Sequence, residues 1–222
     1  ALHPEVAAGV ADHSAYKSDP LGRLNRTSLF VTTANYGSMP EVQSAVQMVR
    51  TAHRPVTGVS ERGISYSANQ PPLAAWVQNT LTDSFLEAYQ TFCRPLGHDE
   101  ADQFVQEQSK IGALLGVVEL PQTAADLRSW IVDHPDLAES QALHQAWDFL
   151  RNPPLNTGQL LGYKILRSAA VATLPQNFNQ LTNASSSRRA VFAGRRLIGS
   201  LRWAMKYSPA WKAALDRCGA TY

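Results

Sequence analysis

The chain has 222 residues, 44% apolar and 17% charged, enough to bury the core of one domain spanning residues 1–222. A formal net charge of +2 excludes the strongly basic face of a nucleic-acid-binding domain, and no such motif occurs. Cys93 and Cys218 stand too far apart for metal-ligand spacing or a disulfide framework, and no apolar run reaches the roughly 20 residues of a membrane-spanning helix, so a soluble chain is expected.

Nearly every long segment carries the helical period, which predicts an all-α fold: a single multi-helix domain with a buried central helix and an internal apolar pocket. Pro4 suits a first helical turn, and a helix over Glu5 to His13 follows, with Ser14 to Pro20 as the connection. A second helix runs from Leu21 to Tyr36 and ends at Gly37. Ser38 caps a third, which runs to His53 and is stopped by Pro55. The Gly-, Ser- and Pro-rich stretch Val56 to Pro72 reads as a long loop, of which Val56 to Pro71 is expected to border the main pocket with Tyr66 near its mouth.

The next helix, Pro72 to Cys93, places Val77, Leu81, Phe85, Tyr89 and Phe92 at spacings of three and four, a stripe expected to face the core. Helices over Asp99 to Leu115, Thr123 to Asp133 with Thr123 as cap, Leu137 to Leu150, and Gly158 to Leu174 complete the middle of the chain. Asn183 to Ser187 reads as a polar hinge before a basic helix from Arg188 to Tyr207. The stretch Arg188 to Arg217 holds 8 of the 20 Lys and Arg residues against one acid, Asp216. Two readings fit it: a solvated face over a helix packed through Val191, Phe192, Leu197 and Leu201, or contact with an anionic membrane surface or an acidic protein. Location in the cell, cytoplasmic or membrane-peripheral, is not legible.

The opening His3-Pro4-Glu5-Val6-Ala7-Ala8-Gly9-Val10-Ala11-Asp12-His13-Ser14 is similar to the HP-x-VAAGV-x-x-HS signature of one oxygenase family. That family includes the bacterial rubber oxygenases (latex clearing proteins) and the side-chain-cleaving oxygenase of mycophenolic acid biosynthesis. Asp19 to Leu24 with Arg26-Thr27, Tyr36-Gly37, Arg50 ahead of His53, Tyr66 to Asn69, Trp76, and Leu201-Arg202-Trp203 follow in the family's order, so the resemblance covers essentially the whole chain. It implies an all-α oxygenase scaffold, haem b as cofactor, and an apolar small-molecule substrate of isoprenoid or polyketide-like kind. Family members carry a helix ahead of the signature, whereas residues 1–222 open inside the signature and leave that helix out. Without it, apolar surface would need a partner chain or an oligomer to cover it.

In the resembled proteins the central helix reads W-V-H-A-T-L and its histidine is the axial haem ligand; here Trp76-Val77-Gln78-Asn79-Thr80-Leu81 places Gln78 there. A glutamine amide offers only a weak carbonyl oxygen where iron takes an imidazole nitrogen. Helical periodicity turns Gln78 inward, beside Ala74, Ala75 and Thr82. If haem is retained, His53 is the metal ligand expected to supply the nitrogen, because Arg50 to Val56 matches the family's R-x-x-H-x-x-V pattern. The resemblance implies catalytic roles for His53 and Arg50, and guanidinium forks at Arg50 and Arg26 suit haem propionates. A helix-end histidine and surface salt bridges are the structural alternatives.

His3 and His13 sit about 15 Å apart along one helix and cannot share an ion on it. His98, His134 and His144 show no partners at ligand spacing, and no 2-His-1-carboxylate pattern is legible. Two functions remain open: a haem oxygenase, or a non-haem descendant of the scaffold serving as a non-redox enzyme or a binding and assembly subunit.

Overall fold

The computed structural model describes residues 1–175, 178 and 187–220, and it is 69% helical. Ten helices occur among the described residues: α1 Pro4–His13, α2 Pro20–Tyr36, α3 Met39–His53, α4 Pro71–Phe92, α5 His98–Leu114, α6 Ala124–Val132, α7 Gln141–Arg151, α8 Thr157–Val171, α9 Arg188–Met205 and α10 Pro209–Cys218. Their starts follow from side chains that satisfy free backbone N–H groups. The Asp19 carboxylate accepts from Gly22 N at 2.9 Å, the Thr123 hydroxyl from Asp126 N at 3.0 Å, and Ser140 Oγ from Leu143 N at 3.0 Å.

The last of these caps corrects one expectation. With Ser140 capping, α7 begins at Gln141, and His134 to Glu139 become a connecting loop instead of helix from Leu137. The polar hinge at 183–187 lies, Ser187 apart, outside the described residues. The short helix α10, started by Pro209 and ended by Gly219 at φ 64°, is an element the sequence reading did not separate.

The stretch read as loop contains an antiparallel hairpin, β1 Thr57–Val59 and β2 Ser65–Ser67, in the register Thr57↔Ser67, Gly58↔Tyr66 and Val59↔Ser65. Strands of three residues are too short to display alternation. Its turn closes through Ser60 N to Ile64 O at 2.8 Å, with Gly63 at φ 75°. Tyr66 is not at a pocket mouth: it is 3% exposed and its phenol donates to Asp12 Oδ2 at 2.7 Å. The pairing needs glycine opposite, because a Cβ at Gly58 would lie 2.6 Å from the Tyr66 hydroxyl oxygen.

Helix α4 is the hub. It packs against α1, α5, α6 and α9, and seven of its residues are buried, more than in any other described helix. The core around it joins Trp76 and Leu86 to Ala101 and Val105 of α5, Leu127 and Ile131 of α6, and Phe178. Gly194 brings α9 close to α8 and α4, since a Cβ there would fall 2.6 Å from Ala169 Cβ.

The expected core stripe of α4 is rotated. Val77, Phe85 and Tyr89 are 49%, 40% and 40% exposed, while Gln78, Asn79 and Thr82 are buried. Helix α2 buries none of its 17 residues and leaves Leu21 and Leu24 each 61% exposed.

Burial, then the hydrogen bond to Asp12, pushes the Tyr66 phenol up to about 12. The folded state therefore holds this proton more tightly. Its contribution to stability is complete below the ordinary tyrosine value near pH 10 and is lost as pH rises through about 12. An alkaline difference titration of phenolate absorbance between wild type and Tyr66→Phe is expected to show one tyrosine ionising near pH 12; ionisation near pH 10 would refute the assignment.

Candidate functional site

Glu5 lies on the buried face of α1 and is 3% exposed. A carboxylate in that position needs counter-charge and donors. The hairpin turn supplies both: Ser60 Oγ donates to Glu5 Oε1 at 2.7 Å, Arg62 Nε donates to the same oxygen at 3.1 Å, and Arg62 Nη2 donates to Oε2. Burial pushes this carboxyl up, but the bonds from Arg62 and Ser60 outweigh it and hold the group below its ordinary value. Glu61, beside them, accepts from Gln141 N at 2.9 Å and ties the same turn to the start of α7.

His3, at the N-cap of α1, is also buried. Its Nδ1 stands 3.2 Å from Glu5 Oε2 but off the direction of a hydrogen bond, leaving a buried nitrogen without a hydrogen-bond partner. Its Nε2 faces Asp136 Oδ2 at 3.8 Å. His134 completes the group, its ring 5.4 Å from that of His3 and edge-on to Trp76 and Trp130 at 4.9 and 4.7 Å. Burial lowers the pKa of both His3 and His134, against the pull of Asp136, so the neutral imidazole is favoured in each. The α6–α7 loop that carries His134 and Asp136 is pinned by Ala138 N to Leu2 O at 3.2 Å.

His3, His134 and Asp136 form the one group of at least three His, Cys, Asp or Glu donors at metal-ligand reach among the described residues, one atom of each lying within 4.8 Å of the others. A cleft of about 480 Å³ opens beside it, lined by Pro72, Glu119, Trp130, Asp133, His134 and Asp136 among others. Sequence spacing gives neither His3 nor His134 a partner at ligand distance. The partners come from α1 and from a loop more than 120 residues later, a distance no spacing rule reaches. The expectation that Val56 to Pro71 borders the main pocket is not met: none of these residues lines the cleft, whose Pro72 belongs to α4, although Arg62 comes within 3.9 Å of Asp136 on its wall.

The residues singled out from the sequence are dispersed. Gln78 does face inward, at 5% exposure, and its amide donates to Gln108 O at 3.2 Å and Thr82 Oγ1 at 3.4 Å. His53 is exposed at the end of α3 and is not part of the metal-reach group. Arg50 is exposed, its guanidinium near the Gly116 turn and its carbonyl accepting from Asn69 at 3.2 Å. Arg26 is a surface residue, 3.2 Å from Asp19.

An all-helical scaffold built on α4, with the signature helix α1 packed against it, defines the class of protein. A family model described as "ER-bound oxygenase mpaB/B'/Rubber oxygenase, catalytic domain" matches residues 1–203, and the chain belongs to that family. No curated protein and no solved structure matches the chain. Family membership supports an oxygenase-like function. Among the described residues no helix is long and apolar enough to cross a membrane.

The haem that the resemblance implies does not fit at position 78. The amide is satisfied by protein partners, and the space bounded by Gln78, Asn79, Val105, Gln108, Leu120 and Leu127 has no volume for even one water molecule. The nearest packed backbone adds to this, since a Cβ at Gly112 would meet Gln78 Cγ at 3.1 Å.

Glu5→Ala is expected to cost about 3 kcal/mol in urea unfolding, because it strands Arg62 and Ser60 against a buried site. Arg26→Ala, which removes an exposed pair, is expected to cost well under about 1 kcal/mol. The depressed Glu5 pKa adds a pH signature: its stabilisation is present above the ordinary carboxylate value and is lost as pH falls through the folded one. Wild type should lose this increment on acidification, and Glu5→Ala should lack it.

Proposed function

We propose that the chain is an oxygenase-type domain acting on a small apolar molecule, of isoprenoid or polyketide-like kind, without a haem ligated from α4. The observation that carries the reading is Gln78: the family's imidazole position holds a buried amide whose donors are already engaged by Gln108 and Thr82. An apolar substrate is supported by the side chains left uncovered on α2 and α4, Leu21, Leu24, Val77 and Phe85. Arg50 and His53, at the end of α3, are exposed and accessible to such a molecule.

Hemin titration of the purified protein tests the reading. No stoichiometric uptake and no Soret band are expected for wild type, and none for Gln78→His, because the closed packing around position 78 excludes a porphyrin even when the ligand is restored. Stoichiometric uptake by wild type that persists in His53→Ala refutes the proposal, whereas uptake that His53→Ala abolishes makes His53, on α3, the axial ligand.

A second reading, assembly through an apolar face, is favoured by α2 alone, whose 17 residues include none that is buried. Leu21 and Leu24 are three positions apart and share a face of that helix. Light scattering is expected to give a mass above the 24.3 kDa of one chain, and Leu21→Glu with Leu24→Glu to return a monomer. A monomeric wild type rules out self-assembly.

A further inference from the structure

The group formed by His3, His134 and Asp136 is independent of position 78 on α4 and does not rest on the reading above. We propose that it is a binding site for a divalent first-row transition-metal ion, held by His3 Nε2, one nitrogen of His134 and one carboxylate oxygen of Asp136, with its remaining positions open to the cleft. Two imidazoles and one carboxylate select ions of the zinc and iron kind over magnesium or calcium, which take oxygen ligands.

The separations suit an ion. Ligand atoms at about 2.0–2.1 Å from one metal stand no more than about 4.2 Å apart. His3 Nε2 and Asp136 Oδ2, at 3.8 Å, already meet that limit. The whole group spans no more than 4.8 Å, so the widest pair closes by up to about 0.6 Å for a trans arrangement and up to about 1.5 Å for a tetrahedral one. The Asp136 side chain is 51% exposed on a loop, so it is free to adjust toward the two imidazoles.

The surroundings are those of a supported site. Both ring planes are set by aromatic neighbours: His3 lies 5.8 Å from Trp76, and His134 sits edge-on to Trp76 and Trp130. Behind His3 stands the Glu5 carboxylate, itself held by Arg62 and Ser60. A carboxylate behind a ligating histidine fixes the ring's tautomer and orientation.

This arrangement also accounts for the orphaned Nδ1 of His3. Metal coordination at Nε2 places the ring's one proton on Nδ1, facing Glu5 Oε2 at 3.2 Å, where a small ring rotation makes the bond. One existing contact opposes the ion: Asp136 N donates to His134 Nδ1 at 3.3 Å. That long bond is what coordination has to replace.

The cleft of about 480 Å³ beside the ion is lined by Trp130 and Pro72 and by the carboxylates of Glu119 and Asp133. Three protein ligands leave positions there for water or for a small chelating molecule.

Zn2+ titration of the chelator-stripped full chain by calorimetry tests the proposal, with Co2+ as a spectroscopic probe. One equivalent of Zn2+ is expected to bind, and bound Co2+ to develop visible d–d absorption with nitrogen ligation. Asp136→Asn, a near-isosteric change on a side chain that is 51% exposed, should weaken binding on the order of tenfold or more, and His134→Ala further. His144→Ala and His53→Ala, exposed histidines outside the group, should bind as wild type does. Absence of stoichiometric binding by wild type overturns the proposal, as does unchanged affinity in Asp136→Asn and His134→Ala with dichroism like wild type. Hemin uptake reads a different position, so either proposal can fail with the other intact.

Discussion

The architecture around the N-terminal signature depends on one buried charge. Glu5 cannot stay ionised on the inner face of α1 unless something brings it a cation, and the cation comes from a hairpin turn more than 50 residues later. Once Arg62 and Ser60 are committed to that carboxylate, the turn has a fixed position. Its neighbour Glu61 then meets the first free amide of α7, and the α6–α7 loop is drawn against the start of the chain by the Leu2–Ala138 bond. A single ion pair thus aligns α1, the hairpin and the loop that carries His134 and Asp136. Apolar packing could not do this with the same precision, because it has no direction.

The second organising fact is that α4 turns polar residues inward. Gln78, Asn79 and Thr82 sit on its buried side, each with a partner: Gln108 and Thr82 for Gln78, the Glu119 carbonyl for Asn79, and the Gln78 carbonyl for Thr82. Burying unpaired amides costs on the order of 1 to 3 kcal/mol each, so these bonds determine the helix's rotation as much as its apolar residues do. The consequence is an apolar stripe left facing outward at Val77, Phe85 and Tyr89. At Gln78, where the resemblance implies an axial histidine, the interior of this chain is closed and hydrogen-bonded.

The proposed metal site lies elsewhere in this chain. The imidazoles and carboxylates that lie within reach of one another gather at the end of α1 and in the His134-Pro135-Asp136 loop, against the two tryptophans of α4 and α6. Rigid aromatic walls, neutral imidazoles and an adjoining cleft are the properties of a site that receives a ligand. The residues the family pattern points to at the end of α3, Arg50 and His53, lie exposed and outside that group.

Much of this was legible without coordinates. The helical period determined the all-α class and most helix bounds, and the Thr123 cap was readable because it acts on a backbone amide three residues away. Periodicity also turned Gln78 inward correctly, and the HP-x-VAAGV signature located the family over residues 1–203. Tertiary structure alone decided the rest. Strands of three residues carry too few alternations to be read, so the hairpin emerged only from its pairing across the turn. The outward rotation of Val77 and Phe85 depends on which hydrogen-bond partners α5 and the 115–123 segment bring to α4, a fact absent from α4's own sequence. His3 and His134 are 131 positions apart, and local spacing carries no information about side chains that meet only when α1 and the α6–α7 loop are folded against the same tryptophan.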